Sequence, residues 1–458
     1  MARIVPFRGI LYNPKKIADL KEVITPPYDI ISEKEQQEYL ERHPQNMIRL
    51  ILGKECPQDT EYDNRYTRAA EFFHGWLEQG ILIQDTEPVF YVTEIDYSVE
   101  GVLHTRFGLI VLVELEDFEK EGIRPHEKTF STTKADRLRL MEACKANFSP
   151  VFSLFSDPGE EIAGTLRAGI EGIAPDFEFD DPMGYRHRLW RVSDRKIHTK
   201  IGKGLAGKPL YIADGHHRYE TALNYRARIM SKHGPLAPDD PCNFVMMYLS
   251  SMNEAGLTIR PVHRLLCDVP GEAMDGFVAK ARASFDVETL RFEGLDRKGF
   301  EAAFLAKIRA GAKVAAIGAV VGGHSAFYIL RVKEGIMDRL FEGEIPAPLR
   351  KLDVTVATKL VLQQILGFSG AALDDEQRIL YTSRHERAFE AVNVGECDIA
   401  LILNPTRLGQ IQEVSDAGLI MPRKSTYFYP KVMTGLVINK IDGFVKSPTS
   451  ALRCILRH

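Results

Sequence analysis

Pro209-Leu210-Tyr211-Ile212-Ala213-Asp214-Gly215-His216-His217-Arg218-Tyr219 is the stretch whose reading decides the fold. Its apolar first half has strand character, and the residues from Gly215 to Ser231 read as a helix, so the charged residues fall on a strand-to-helix turn. Such a turn suits phosphate. A helix N-terminus carries positive dipole potential, glycine allows close backbone approach, and imidazole and guanidinium add donors for a bound anion. Asp214 can hold a magnesium ion or orient a histidine. The plainer alternative is a common Asp-Gly turn beside a buried histidine couple. Function is favoured because Asp214, His216, His217 and Arg218, packed into five residues, are costly to bury without a task. The histidines by themselves make a poor metal pair, since neighbours on a helix point about 100° apart.

Working outward, strands are expected at Val151 to Phe155, Arg188 to Val192, Leu210 to Ala213 and Asn243 to Leu249, with a helix from Glu160. That alternation predicts an α/β core with a mixed sheet. Upstream, Glu87 to Glu116 reads as a hairpin turning at Val99-Glu100-Gly101. Downstream, helices are expected at Ala273 to Phe285, Gly299 to Ala310 and Val354 to Leu366, and strands at Val314 to Val320 and Ala326 to Val332. The chain divides on this reading into an N-terminal α+β lobe (1–150), the core carrying the Asp214 turn (151–266) and a C-terminal α/β lobe (267–458).

Two further clusters suit an anion. Arg124, His126, Lys128, Thr129, Lys134 and Arg137 surround Glu127 within fourteen residues, and Glu127 is the natural general base for an attacking hydroxyl. Taken singly, Lys128 and Arg137 read better as ordinary surface charge. The helix that follows, through about Asn147, could be capped by Ser131 or Thr133. Lys424-Ser425-Thr426 has the residue types of a phosphate loop without the glycines a Walker loop requires. Tyr427, Phe428 and Tyr429 beside it can stack on a base or simply pack. Pro26-Pro27 stiffens a loop that can present Tyr28 and Asp29 to a cleft, or that serves as a rigid connection. His263 and Asp353 read as structural more often than as support for a site.

Composition narrows the classes. Of 458 residues, 45% are hydrophobic and 27% charged, as in ordinary globular chains, and the formal net charge of −4 counts against a general nucleic-acid binder. Six scattered cysteines without Cys-x-x-Cys spacing read as reduced thiols. No run is long and apolar enough for a signal core or a membrane span, so a cytoplasmic protein is expected. Ser447 to His458 reads as a docking segment or a loose tail.

The Asp-Gly-His-His-Arg segment, with its strand and helix, resembles the signature of free-serine kinases related to the ParB nuclease-like fold. The whole chain resembles a bacterial and archaeal family of unknown function, through Pro6-Phe7-Arg8-Gly9, Pro26-Pro27-Tyr28-Asp29, Arg124-Pro125-His126-Glu127-Lys128-Thr129, the Asp214 turn, and Met421-Pro422-Arg423-Lys424-Ser425-Thr426 with Phe428, Pro430 and Lys431. The resemblance implies a ParB/serine-kinase-like core and phosphoryl transfer to the hydroxyl of free L-serine, giving O-phosphoserine. It implies Mg2+ and a donor among ATP, ADP and pyrophosphate, with Asp214, His216, His217 and Arg218 at the transferring phosphate. The kinases' base is a glutamate outside the signature, and Glu127 is the candidate by chemistry. A nucleotide-binding regulator of ParB type and a phosphate-ester hydrolase are the other readings.

Overall fold

A computed structural model describes residues 3–292, 297–310 and 315–441. The expectations for Ser447 to His458, for Cys454 and for the first residue of the Val314 strand lie outside the described residues. The chain forms two compact units, residues 1–125, 129–257 and 430–458 in the first, and 126–128 and 258–429 in the second.

The first unit is built on a nine-stranded sheet. Its strands are β1 (Ile4–Val5), β2 (Phe90–Val99), β3 (Val102–Glu114), β4 (Ile123–Arg124), β5 (Val151–Phe155), β6 (Phe177–Asp180), β7 (Arg186–Val192), β8 (Leu210–Asp214) and β9 (Phe244–Ser251). They lie in the order β4-β8-β5-β9-β3-β2-β7-β6, with β1 on β3. β8 runs parallel to β4 and β9 parallel to β5, while the other pairs are antiparallel, so the sheet is mixed as its sequence predicts. Residues on both sides of position 150 share this one sheet. The β2–β3 hairpin turns at Glu100 and Gly101, both at positive φ, which suits the twist of a two-residue hairpin.

Cross-strand partners share a face, so the registers sort the side chains. One row runs Trp190, Val92, Leu109, Leu249, Ser153, Ile212, from β7 to β8. It belongs to an aliphatic core closed by Ile162, Leu166, Ile201, Leu205 and Ala222, from the helices Glu161–Ile170, Arg195–Leu205 and His216–His233. The adjacent row runs Arg191, Tyr91, Ile110, Tyr248, Phe152, Asp214 and faces the opposite way. That second face is polar and aromatic. A second core of the same unit joins helices α1 (Arg65–Glu78) and α2 (Ser131–Cys144) through Phe73, Trp76, Leu140 and Cys144. Neither Ser131 nor Thr133 caps α2: Phe130 holds the cap position without a side-chain bond, and its N–H is engaged elsewhere, as described below.

The second unit has a six-stranded sheet in which every pair is antiparallel, in the order Phe285–Arg291, Ala326–Val332, Ala316–Val321, Ile399–Ile402, His263–Leu266, Ile379–Thr382. The helix expected from Ala273 to Phe285 is instead two short ones, Gly271–Asp275 and Phe277–Ala281, separated at Gly276, and Phe285 begins a strand. Cys267 and Cys397 form a disulfide, which corrects the expectation of reduced thiols throughout. Leu266 pairs with Ile399, so the strand ends bring together two cysteines 130 residues apart, a proximity that linear spacing cannot reveal. Among the described residues no helix is long and apolar enough to cross a membrane.

Candidate functional site

The centre of the first unit's polar face is made by an irregularity in β8. Ile212 pairs with Ser153, but the next partner of β5, Phe152, is met by Asp214 and not by Ala213. This β-bulge turns Asp214 onto the polar face; in a regular strand Ala213 would hold that place and Asp214 would point toward the aliphatic core. Gly215 follows at φ +92°, a left-handed conformation that glycine accepts without strain, and it is the N-cap residue of α3 (His216–His233). A Cβ on Gly215 would lie 2.8 Å from the Arg218 guanidinium.

Both carboxylate oxygens of Asp214 carry a cation. Arg218 Nη2 donates to Oδ2, and Lys431 Nζ, from a segment more than two hundred residues away, donates to Oδ1. The three side chains are 12%, 11% and 9% exposed. Burial opposes ionisation of Asp214, but Lys431 and Arg218, with His216 nearby, outweigh it and hold the carboxyl well below the usual carboxylate range. Arg218 Nη1 also donates to the Pro150 carbonyl, which fixes the guanidinium plane.

The helix contributes more than its first turn. His216 is 3% exposed. His217 Nε2 accepts the Phe130 N–H at 3.0 Å, so the imidazole carries no proton on that nitrogen, and the ring stacks on Phe130 with centroids 6.0 Å apart. One turn after His216, Glu220 accepts from Lys134 Nζ at 2.6 Å and from the Thr129 hydroxyl at 2.8 Å. Glu220 was not singled out in the sequence, although its i,i+4 spacing from His216 puts both on one helix face.

Beside this centre lies a cleft open to solvent, lined by Arg218, Tyr28, Arg137, Thr221, Ser149 and Phe148 among others. Thr221 Oγ1 is buried without a hydrogen-bond partner among the described residues. Arg137 is committed to the fold: it pairs with Asp136, donates to the Ile51 carbonyl at 2.7 Å and covers the Tyr28 ring at 4.1 Å. Burial pushes the Tyr28 hydroxyl up, so the ring is neutral at pH 7. Asp29 is exposed. Arg124 bonds the Glu121 carbonyl at 3.3 Å and lies over Tyr211 of β8 at 5.7 Å.

The remaining sequence candidates belong to the second unit: His126, Glu127, Lys424, Ser425 and Thr426. His126 Nε2 and the Thr426 hydroxyl are 3.0 Å apart, and the His126 carbonyl accepts the Met421 N–H at 2.9 Å. The Ser425 hydroxyl donates to the Pro422 carbonyl at 2.5 Å, and its own carbonyl accepts from Thr406 at 2.7 Å. Ser425 and Thr426 thus hold a turn of their own unit together. His263 is buried there, accepts the Leu403 N–H at 3.2 Å and is pushed down to about 3 by burial, so it serves the fold as a neutral ring.

The donor set does not fit a magnesium ion held at Asp214. Both of its oxygens are taken by cations, and among the described residues no group of three or more His, Cys, Asp or Glu could hold a metal ion.

The model of a family described as "Protein of unknown function (DUF1015)" matches residues 4–355. No curated protein matches the chain. Among solved structures, a mutant free serine kinase in complex with ADP is similar at 12% identity and a TM-score of 0.34, over 70% of this chain and 87% of that one. A conserved hypothetical protein from Pyrococcus furiosus is similar at 13% and 0.33, over 72% and 95%. Truncated SbnI from Staphylococcus aureus is similar at 11% and 0.35, over 76% and 93%. At these TM-scores the likenesses carry no argument about chemistry.

Proposed function

We propose, for a chain that belongs to the DUF1015 family of proteins of unknown function, that it is a phosphotransferase moving a phosphoryl group from a nucleotide or pyrophosphate to the hydroxyl of free L-serine. The observation that carries this reading is the Asp214 centre, where one carboxylate pins two cations, Arg218 and Lys431, at the start of an eighteen-residue helix. One negative charge against two positive ones leaves the centre cationic, and it needs no reorganisation to meet an anion.

In this reading donor phosphate oxygens lie against Arg218, Lys431 and the first turn of α3, while Asp214 keeps the two cations in register. The serine oxygen attacks phosphorus, the bond from phosphorus to the donor's bridging oxygen breaks, and the hydroxyl proton passes to a base. Glu127, three residues before Phe130 along the chain, is the proposed base by its chemistry. His216 or His217 stabilises charge on the phosphoryl group as it moves. Magnesium belongs to the proposal as a companion of the donor's own phosphates.

The test is an incubation of the full chain with magnesium, L-serine and, in separate tubes, ATP, ADP and pyrophosphate, with O-phosphoserine read by mass spectrometry. Product from one donor supports the reading and identifies the donor. Phosphate released equally well without serine favours a hydrolase, and no product from any donor overturns the kinase. Glu127→Gln is expected to lower turnover while leaving donor binding intact; unchanged turnover removes it from the base role.

A further inference from the structure

The polar face holds a second cation, Arg106 of β3, that the Asp214 centre does not use. Arg106 is 2% exposed. Its guanidinium lies 5.0 Å from the Phe152 ring and 5.3 Å from the Tyr248 ring, and its Nη1 donates to the Pro430 carbonyl. Its Nε has no hydrogen-bond partner, and no carboxylate pairs with it among the described residues. A guanidinium is always charged, and a buried charge without a counter-ion costs several kcal/mol. Two aromatic faces offset part of that cost. Gly108 on the same strand allows the arrangement, since a Cβ there would lie 2.1 Å from the Tyr248 ring.

The charge borders a small cleft that opens to solvent, lined by Arg106, Thr93, Glu94, His187, Arg188 and Lys431 among others, all in the first unit. Other polar groups on its walls already have partners, His187 with Asp181 at 3.0 Å and Arg188 with Glu94 at 3.5 Å. Lys431 joins the cleft to the phosphate centre, because the same side chain lines one and bonds Asp214 in the other. The rings against Arg106 also belong to the cross-strand row that ends at Asp214. Arg106 stands on β3, three strand spacings or about 14 Å from β8, but its guanidinium reaches over the Phe152 ring of β5, the strand next to β8. A small molecule anchored at Arg106 can therefore present a second group toward the Asp214 centre.

We propose that Arg106 is the counter-ion of a substrate carboxylate, and that this cleft takes the acceptor, a small hydroxy or amino acid, with its carboxylate on the Arg106 guanidinium. The inference rests on the phosphotransferase reading for the word acceptor, but carboxylate recognition stands or falls separately. It also supplies a reason for a free amino acid as substrate, since a hydroxyl alone offers Arg106 nothing to pair with.

The experiment is a calorimetric titration of the full chain, with no phosphoryl donor present, by L-serine and by ethanolamine, which keeps the amine and hydroxyl and lacks the carboxylate. L-Serine is expected to bind at least about tenfold more tightly than ethanolamine, and Arg106→Met to bring the ratio near one. No L-serine binding, equal binding of the two, or a ratio preserved in Arg106→Met overturns the proposal. Should Arg106→Met fail to fold, the wild-type protein decides. A protected arginine Nε–H resonance, assigned through Arg106→Lys, shifts with L-serine and not with ethanolamine, and an unmoved resonance overturns the proposal. With no donor in the cell, failure here is distinct from absence of O-phosphoserine in the turnover assay.

Discussion

Asp214 in the first unit and Asp353 in the second are both held in the protein's interior against a sheet, and they are shifted in opposite directions. Burial pushes Asp353 up to about 6; the amide of Asn404 at 3.1 Å and the charge of Arg407 ease it only in part. Asp214 is drawn down, because Lys431 and Arg218 each bond one of its oxygens. Burial alone therefore does not decide which form of a carboxyl is held. The cations do, since two of them bonded to one acid leave a local surplus of positive charge.

The sharpest way to break the comparison is to remove each acid. Asp214→Asn leaves two nearly buried cations without their counter-ion, and a loss of about 3 kcal/mol in unfolding free energy is expected from urea denaturation. Turnover in the serine assay is expected to fall about a thousandfold. A loss below about 1 kcal/mol with full turnover would make the centre ornamental. Gly215→Ala tests whether the turn positions Arg218. Positive φ and the short approach to the guanidinium predict a cost of about 1–2 kcal/mol, and donor binding should weaken with it.

Asp353→Asn is expected to act with the opposite sign. A raised carboxyl in the folded state favours the protonated form, so its contribution is best below the ordinary value of about 4, declines as pH rises, and its cost is complete above about 6. The variant should thus gain about 1 kcal/mol at pH 7 and nothing at pH 3.5, read by urea denaturation at both. For Asp214 the sign reverses: its contribution is fully present above about 4 and lost as pH falls through the depressed folded value. The smallest expected effect is at Glu220→Gln. Its pair with Lys134 is about one quarter exposed, so about 0.5 kcal/mol of stability is at stake, and a change in donor affinity rather than in folding would bring Lys134 into the site.

Much of the polar face was legible in the chain. The strand before Asp214, the helix after Gly215 and the hairpin at Val99 to Val102 follow from local pattern and turn chemistry, and the mixed sheet follows from their alternation. What local pattern could not give is which distant residue completes the centre. Lys431 belongs to the motif that carries the family resemblance, but its partner is not written there, and only the folded chain places it on Asp214. Arg106 was hidden for a related reason: inside an alternating strand an arginine reads as a solvent-facing position, and it is the register against Tyr248 and Phe152 that buries it. Nor does local pattern give the division of the chain, in which Glu127 and the Lys424 turn fall in the second compact unit and Asp214 in the first.

The extra residue in β8 bears on that strand's direction. Ala213 is small, and deleting it would restore even pairing with β5 while leaving Asp214 next after Ile212 and still opposite Phe152 on the polar face. What would be lost is the local bend that the bulge puts into the strand just before Gly215 and α3. The extra residue thus sets the direction in which the helix leaves the sheet, and that direction is recorded in a count of residues and in no single side chain.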